Sequence, residues 1–148
     1  MVAPGLRLVN DTEDPAPGGV RGWLLLLALL LLLGHPINLA VGASTAIDAL
    51  PLRGASLALV LAARLLVASV GVGAGIALMG HRLGAVTFAR WALVLSAAMD
   101  AFVYTTPFYP SNRMPGVTPI VTTASIAYHA LWLAYLFRSK RVRATFSL

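Results

Sequence analysis

From Gly22 to Ile47 the sequence carries no Asp, Glu, Lys or Arg, and from Met114 to Phe137 it carries none either. A helix needs roughly 20 consecutive apolar residues to cross the hydrocarbon layer of a bilayer. Inside that layer each backbone N–H and C=O must find its partner within the protein, which a helix achieves by itself. Two more apolar runs, one interrupted by Arg64 and the other by Arg90 and Asp100, lie between the first pair, so helices are expected over about 22–44, 54–80, 83–105 and 117–137. The expected fold class is all-α: an integral membrane bundle of four transmembrane helices, residues 20–138, with both termini cytoplasmic. Composition agrees. Only 11% of the 148 residues are charged and the mean hydropathy is +0.84, against about 25% charged residues in soluble domains.

The flanks read differently. Residues 1–19 mix Pro, Gly and the acids Asp11, Glu13 and Asp14 without periodicity, the pattern of a flexible arm. An acidic arm before a long apolar run is not the order of a secretory signal, so the small residues around Ala43 are read as retained rather than as a cleavage site. The segment Thr105 to Gly116 is the single connection polar and Pro-rich enough to be a real loop. Residues 139–148 form a basic tail containing Lys140, Arg141 and Arg143, just after Arg138.

Lys and Arg in short loops favour the cytoplasmic side. With both ends inside, the inner side holds Arg7, Arg21, Arg82, Arg90, Arg138, Lys140, Arg141 and Arg143, and the outer side holds Arg53 and Arg113. The tail is therefore expected to rest on anionic lipid headgroups. The net charge of +6 would suggest nucleic acid in a soluble protein. Nothing else in this chain supports that partner.

The absence of cysteine excludes disulfides, thiolate chemistry and Cys-ligated metal. There is no Ser-His-Asp set with credible spacing, no HExxH, no phosphate-binding Gly loop and no carboxylate pair. Three of the five acids lie in the arm. No catalytic residue, no metal site and no resident cofactor are expected.

The two ends carry a resemblance. GGVRGWLLLLALLLLLGHPINL resembles the opening of the uncharacterised bacterial four-helix membrane family DUF2569, a Gly-Gly-Trp start, a Leu/Ile run and a Pro-Ile pair. WLAYLFRSKRVRATF resembles its close, here Tyr135, Ser139, Lys140, Arg141, Val142, Thr145 and Phe146. Asp100 falls where that family has an acid in its third helix, and His35 stands where a Ser is expected before the Pro-Ile pair. The likeness spans roughly residues 18–146, is sharp at the ends, and rests on hydropathy between them. It implies four spans with both termini inside, in a bacterial inner membrane, and no assigned activity.

Within the spans, Arg64 lies about nine residues, or roughly 14 Å, inside its helix. A charge at such depth costs about 2.5–3.5 kcal/mol on insertion scales and normally faces protein or water with a partner. Asp100 is the expected partner, in a structural ion pair or in an anion or proton site, the remaining alternative being that Arg64 faces a partner subunit. His35 and His129 lie near mid-span on the first and fourth helices. They are read as polar core groups, His35 on a carbonyl freed by Pro36 and His129 on a neighbouring helix, or as axial ligands of a b-type haem. Gly71 and Gly75 stand four apart and permit close helix approach, inside the bundle or at a dimer seam. Pro36 is expected to kink the first helix, with Asn38 offering an interhelical hydrogen bond. Trp23, Trp91, Trp132, Tyr104 and Tyr109 read as interfacial anchors.

The leading functional expectation is a non-enzymatic accessory or scaffold subunit of a bacterial inner-membrane complex, with other membrane subunits or further copies of itself as partners. The alternative is a small-molecule or ion-binding bundle, a transporter or sensor unit, using Arg64 and Asp100. A haem-carrying electron-transfer bundle ranks third.

Overall fold

The computed structural model of the chain describes residues 20, 22–109 and 117–146. The expected arm 1–19, Arg21 and residues 110–116, with Arg113 among them, lie outside the described residues. Within them the element order is α1 Trp23–Leu29, a π-helical turn Leu30–Gly34, α2 His35–Ile47, α3 Leu50–Met79, α4 Ala85–Thr105, α5 Val117–Arg138 and α6 Lys140–Phe146. Four helices are long and apolar enough to cross a membrane: Trp23–Ser44, Leu50–Met79, Ala85–Thr105 and Val117–Arg138. These first to fourth spans fall within a few residues of the expected ones.

Local chemistry sets the irregularities. The ring of Pro36 collides with the carbonyl four residues back, that of Leu32, and Pro36 has no N–H to offer it. The chain answers with the π-helical turn around Leu32, which widens the ladder at that point. Gly34 and His35 keep helical dihedrals, so the expected kink is absorbed as a wider turn and not as a break. In α3, Gly54 has φ 60° and ψ −143°, a conformation that only glycine adopts without strain. The straight part of the second span therefore starts at Gly54, and Leu50–Arg53 form a bent first turn.

The two ends of the bundle differ. At the proximal end the first and fourth spans meet, with the Trp23 and Trp132 rings 6.3 Å apart. A dry core fills this half: Leu24, Leu27, Leu31, Leu78, Val86, Leu93, Leu136 and Val142 are fully buried. The basic tail is no free tail through Phe146. Ser139 Oγ accepts the Val142 N–H at 3.4 Å, a capping contact that starts α6. Val142 then enters the core, and the Phe146 ring lies 5.9 Å from that of His81. Lys140, Arg141 and Arg143 stay exposed around this docked helix, and Arg138 is exposed just before it.

Gly71 and Gly75 are an internal seam. A Cβ on Gly75 would stand 2.9 Å from the Ala28 carbonyl oxygen and 3.1 Å from the Leu32 nitrogen. The second span therefore packs backbone to backbone on the first. At the distal end a smaller cluster of Ala46, Leu57, Val60, Val103 and Tyr109 ties the loop after α4 onto the first two spans.

Candidate binding site between the four spans

Between the dry core and the distal cluster lies a cavity of about 350 Å³, and every span contributes to its wall. The first gives His35 and Asn38, the second Arg64 and Ala68, the third Ser96, Asp100 and Tyr104, and the fourth Ser125, Tyr128 and His129. The four titratable groups singled out in the spans thus share one space. Helical spacing accounts for it. Ser96 and Asp100 stand four apart on α4, and Ser125 and His129 four apart on α5, so each pair occupies a single face.

The expected ion pair is not formed: among the described residues, no salt bridge joins Arg64 to Asp100. Arg64 turns instead to the distal cluster, where its guanidinium lies 4.9 Å from the centre of the Tyr109 ring. It also lies against the bare backbone of Gly42, where a Cβ would stand 2.7 Å from Nη1. The Tyr109 hydroxyl donates to the Gly42 carbonyl, which fixes the ring beneath the cation. Tyr109 is therefore no interfacial anchor. It is buried, and it positions Arg64. Asp100 has its own holder, since the Ser125 hydroxyl donates to Oδ2 at 2.6 Å.

The histidines also differ from expectation. His129 Nδ1 lies 2.8 Å from the Ser125 carbonyl oxygen of its own helix, not a neighbouring one. A carbonyl only accepts, so Nδ1 carries the proton and Nε2 is left for the cavity. His35 packs its ring on Gly71, whose Cβ position is 3.0 Å from Cγ and Cδ2. Gly71 thus opens the space that the imidazole fills, a role beyond helix approach. Asn38 is exposed at the cavity wall on the first span.

Sequence reasoning passed over Ser96 and Ser125, took Tyr109 for an interfacial anchor and gave Tyr128 no role. The two serines had a signal, since each precedes a singled-out residue by one helical turn. Ser96 is 4% exposed, and its Oγ has no hydrogen-bond partner although the residue lines the cavity. A buried hydroxyl without a partner is costly and uncommon in a native core. Tyr109 gave no such signal, because it lies past the end of α4 where helical periodicity no longer applies.

Comparison with family models, curated proteins and solved structures finds no match for the chain. Function must therefore be read from the site. Its cation has a flat face on Tyr109 and N–H donors to spare, its carboxylate has one oxygen engaged by Ser125, and its buried hydroxyl has no partner. The Ser125 hydroxyl serves Asp100, and His129 serves a backbone carbonyl. This arrangement is suited to holding a polar molecule.

Proposed function

We propose that the protein is a small-molecule-binding membrane bundle, a transporter or sensor unit, whose ligand occupies the cavity between the four spans. The observation that carries this reading is that Arg64 and Asp100 line one intramembrane cavity, each held by a different neighbour and neither paired to the other. A purely structural ion pair would bring them together, because a lone charge at that depth is costly. We further place the chain in a bacterial cytoplasmic membrane with both termini inside, on the Lys/Arg asymmetry and on the likeness of its two ends to DUF2569.

The accessory-subunit reading comes second. What supports it is the apolar face of the first span, with Trp23, Leu33, Ile37 and Val41 each more than half exposed. Lipid alone also satisfies that face.

Purification of tagged full-length protein from native membranes in mild detergent tests both. The expected particle is a monomer or oligomer of this chain, carrying a small molecule that mass spectrometry detects on denaturation and that Arg64→Ala removes. A stoichiometric larger partner, with no small molecule released, would sink the binding reading and favour the accessory subunit. A Soret band in the same sample would assign the cavity and its two histidines to haem.

A further inference from the structure

The cavity has a floor and a mouth. Its floor residues Ala68, Ser96 and His129 are buried, whereas Asn38, Ala124 and Tyr128 are exposed. All three exposed residues belong to the first and fourth spans. Asn38 lies about 9 Å below Ser44 and Tyr128 about 16 Å below Val117 at helical rise. The mouth is thus in the side wall at hydrocarbon depth, not at the water-facing end. The packing explains the gap. The distal half of the first span, α2, packs on α3, and the fourth span packs on α4. Among the described residues, the ring contact that joins the first and fourth spans is proximal, Trp23 on Trp132.

A side mouth selects a ligand that arrives from the lipid phase. The two charges select its head. Tyr109 and Gly42 hold the guanidinium, and Ser125 holds the carboxylate, so neither is free to swing across and neutralise the other. A molecule carrying an anion and a cation within one headgroup neutralises both. Its anion takes the planar N–H fork of Arg64 and its ammonium takes the open oxygen of Asp100. The unpartnered Ser96 hydroxyl on the floor supplies one more contact.

We infer that the cavity binds an aminophospholipid, with the phosphodiester on Arg64, the primary ammonium on Asp100, and the acyl chains leaving between the first and fourth spans past Asn38, Ala124 and Tyr128. This inference rests on the proposed function and names its ligand class.

The test uses full-length protein in detergent and native mass spectrometry with three probes: dioleoyl-phosphatidylethanolamine, dioleoyl-phosphatidylglycerol and water-soluble phosphoethanolamine. Phosphatidylglycerol keeps the phosphodiester and lacks the ammonium, and phosphoethanolamine keeps an anion beside an ammonium, its phosphate now a monoester, and lacks the tails. Phosphatidylethanolamine should bind best. Arg64→Ala should weaken it about tenfold or more, the scale of one charge-assisted hydrogen bond. Asp100→Asn should weaken phosphatidylethanolamine by a similar factor and leave phosphatidylglycerol unchanged. Ala124→Trp, which alters the mouth and no charge, should lower binding of both lipids, and it serves if Arg64→Ala fails to fold. Equal binding of the two lipids, unaffected by Asp100→Asn, would overturn the zwitterion assignment. Phosphoethanolamine binding as tightly as the lipid, through Arg64, would overturn the lipid route while keeping the binding function. If no probe binds in an Arg64-dependent way and the native preparation also releases no small molecule, both proposals fall.

Discussion

Gly42 decides where Arg64 can lie. A methyl group at that position would stand 2.7 Å from Arg64 Nη1 and 3.0 Å from the Tyr109 hydroxyl, so the guanidinium or the ring would have to move. Gly42→Ala should therefore reproduce the ligand loss of Arg64→Ala while every charge remains, which native mass spectrometry would read directly. Tyr109→Phe acts differently. It keeps the ring under the cation and removes the hydroxyl bond to the Gly42 carbonyl. That should cost about 0.5–1.5 kcal/mol of stability, measurable as a shift in unfolding midpoint in mixed micelles, with only modest loss of binding. At this scale the sequence was half legible. A charge or histidine inside an uncharged run stands out, so Arg64, Asp100, His35 and His129 could be found. Their partners could not, because a serine in an apolar helix, or a tyrosine in the loop after one, is ordinary until geometry shows what it touches.

Among the elements, the second span offers a controlled comparison. A Cβ at Gly75 meets the Ala28 carbonyl oxygen at 2.9 Å, and that backbone cannot rotate away. A Cβ at Gly73 meets only the Phe88 ring edge at 3.4 Å, an ordinary contact. Gly75→Ala should cost about 1–3 kcal/mol by forcing the first two spans apart. Gly73→Ala should be neutral or stabilising by up to about 1 kcal/mol, through helix propensity. Equilibrium unfolding of the two variants side by side checks this, and equal effects would remove the seam. The spans themselves were legible because hydropathy over twenty residues dominates every local preference. Helix α6 was not, because a short run dense in Lys and Arg reads as solvated chain. Its one clue is the spacing of Val142 and Phe146, which puts both on one face toward the core. Val142→Asp should release α6, and trypsin should then cut after Arg141 and Arg143 faster than in the parent.

For the whole molecule, the unresolved choice is which leaflet the cavity serves. Gly22 lies against Arg141, and Trp23 against Trp132, so both described ends of the chain share the proximal face. That face also carries Arg82, Arg138, Lys140, Arg141 and Arg143, and in the orientation proposed from the positive-inside bias it is the cytoplasmic one. The cavity, which lies toward the other ends of the spans, then opens into the outer leaflet. A chain without cysteine allows this to be measured cleanly. Ser44→Cys and Ser56→Cys sit at exposed distal positions, and Ala144→Cys sits on exposed α6. A membrane-impermeant maleimide added to intact cells should label the first two at once and Ala144→Cys only after permeabilisation. The reverse pattern would invert the bundle and move the lipid site to the inner leaflet. The internal geometry of Arg64 and Asp100 would be unaffected, because it depends on how the spans pack and not on which way they face. Labelling of all three from outside would instead mean that the positive cluster does not hold its face inside. The case for a fixed leaflet would then be lost, whatever the cavity binds.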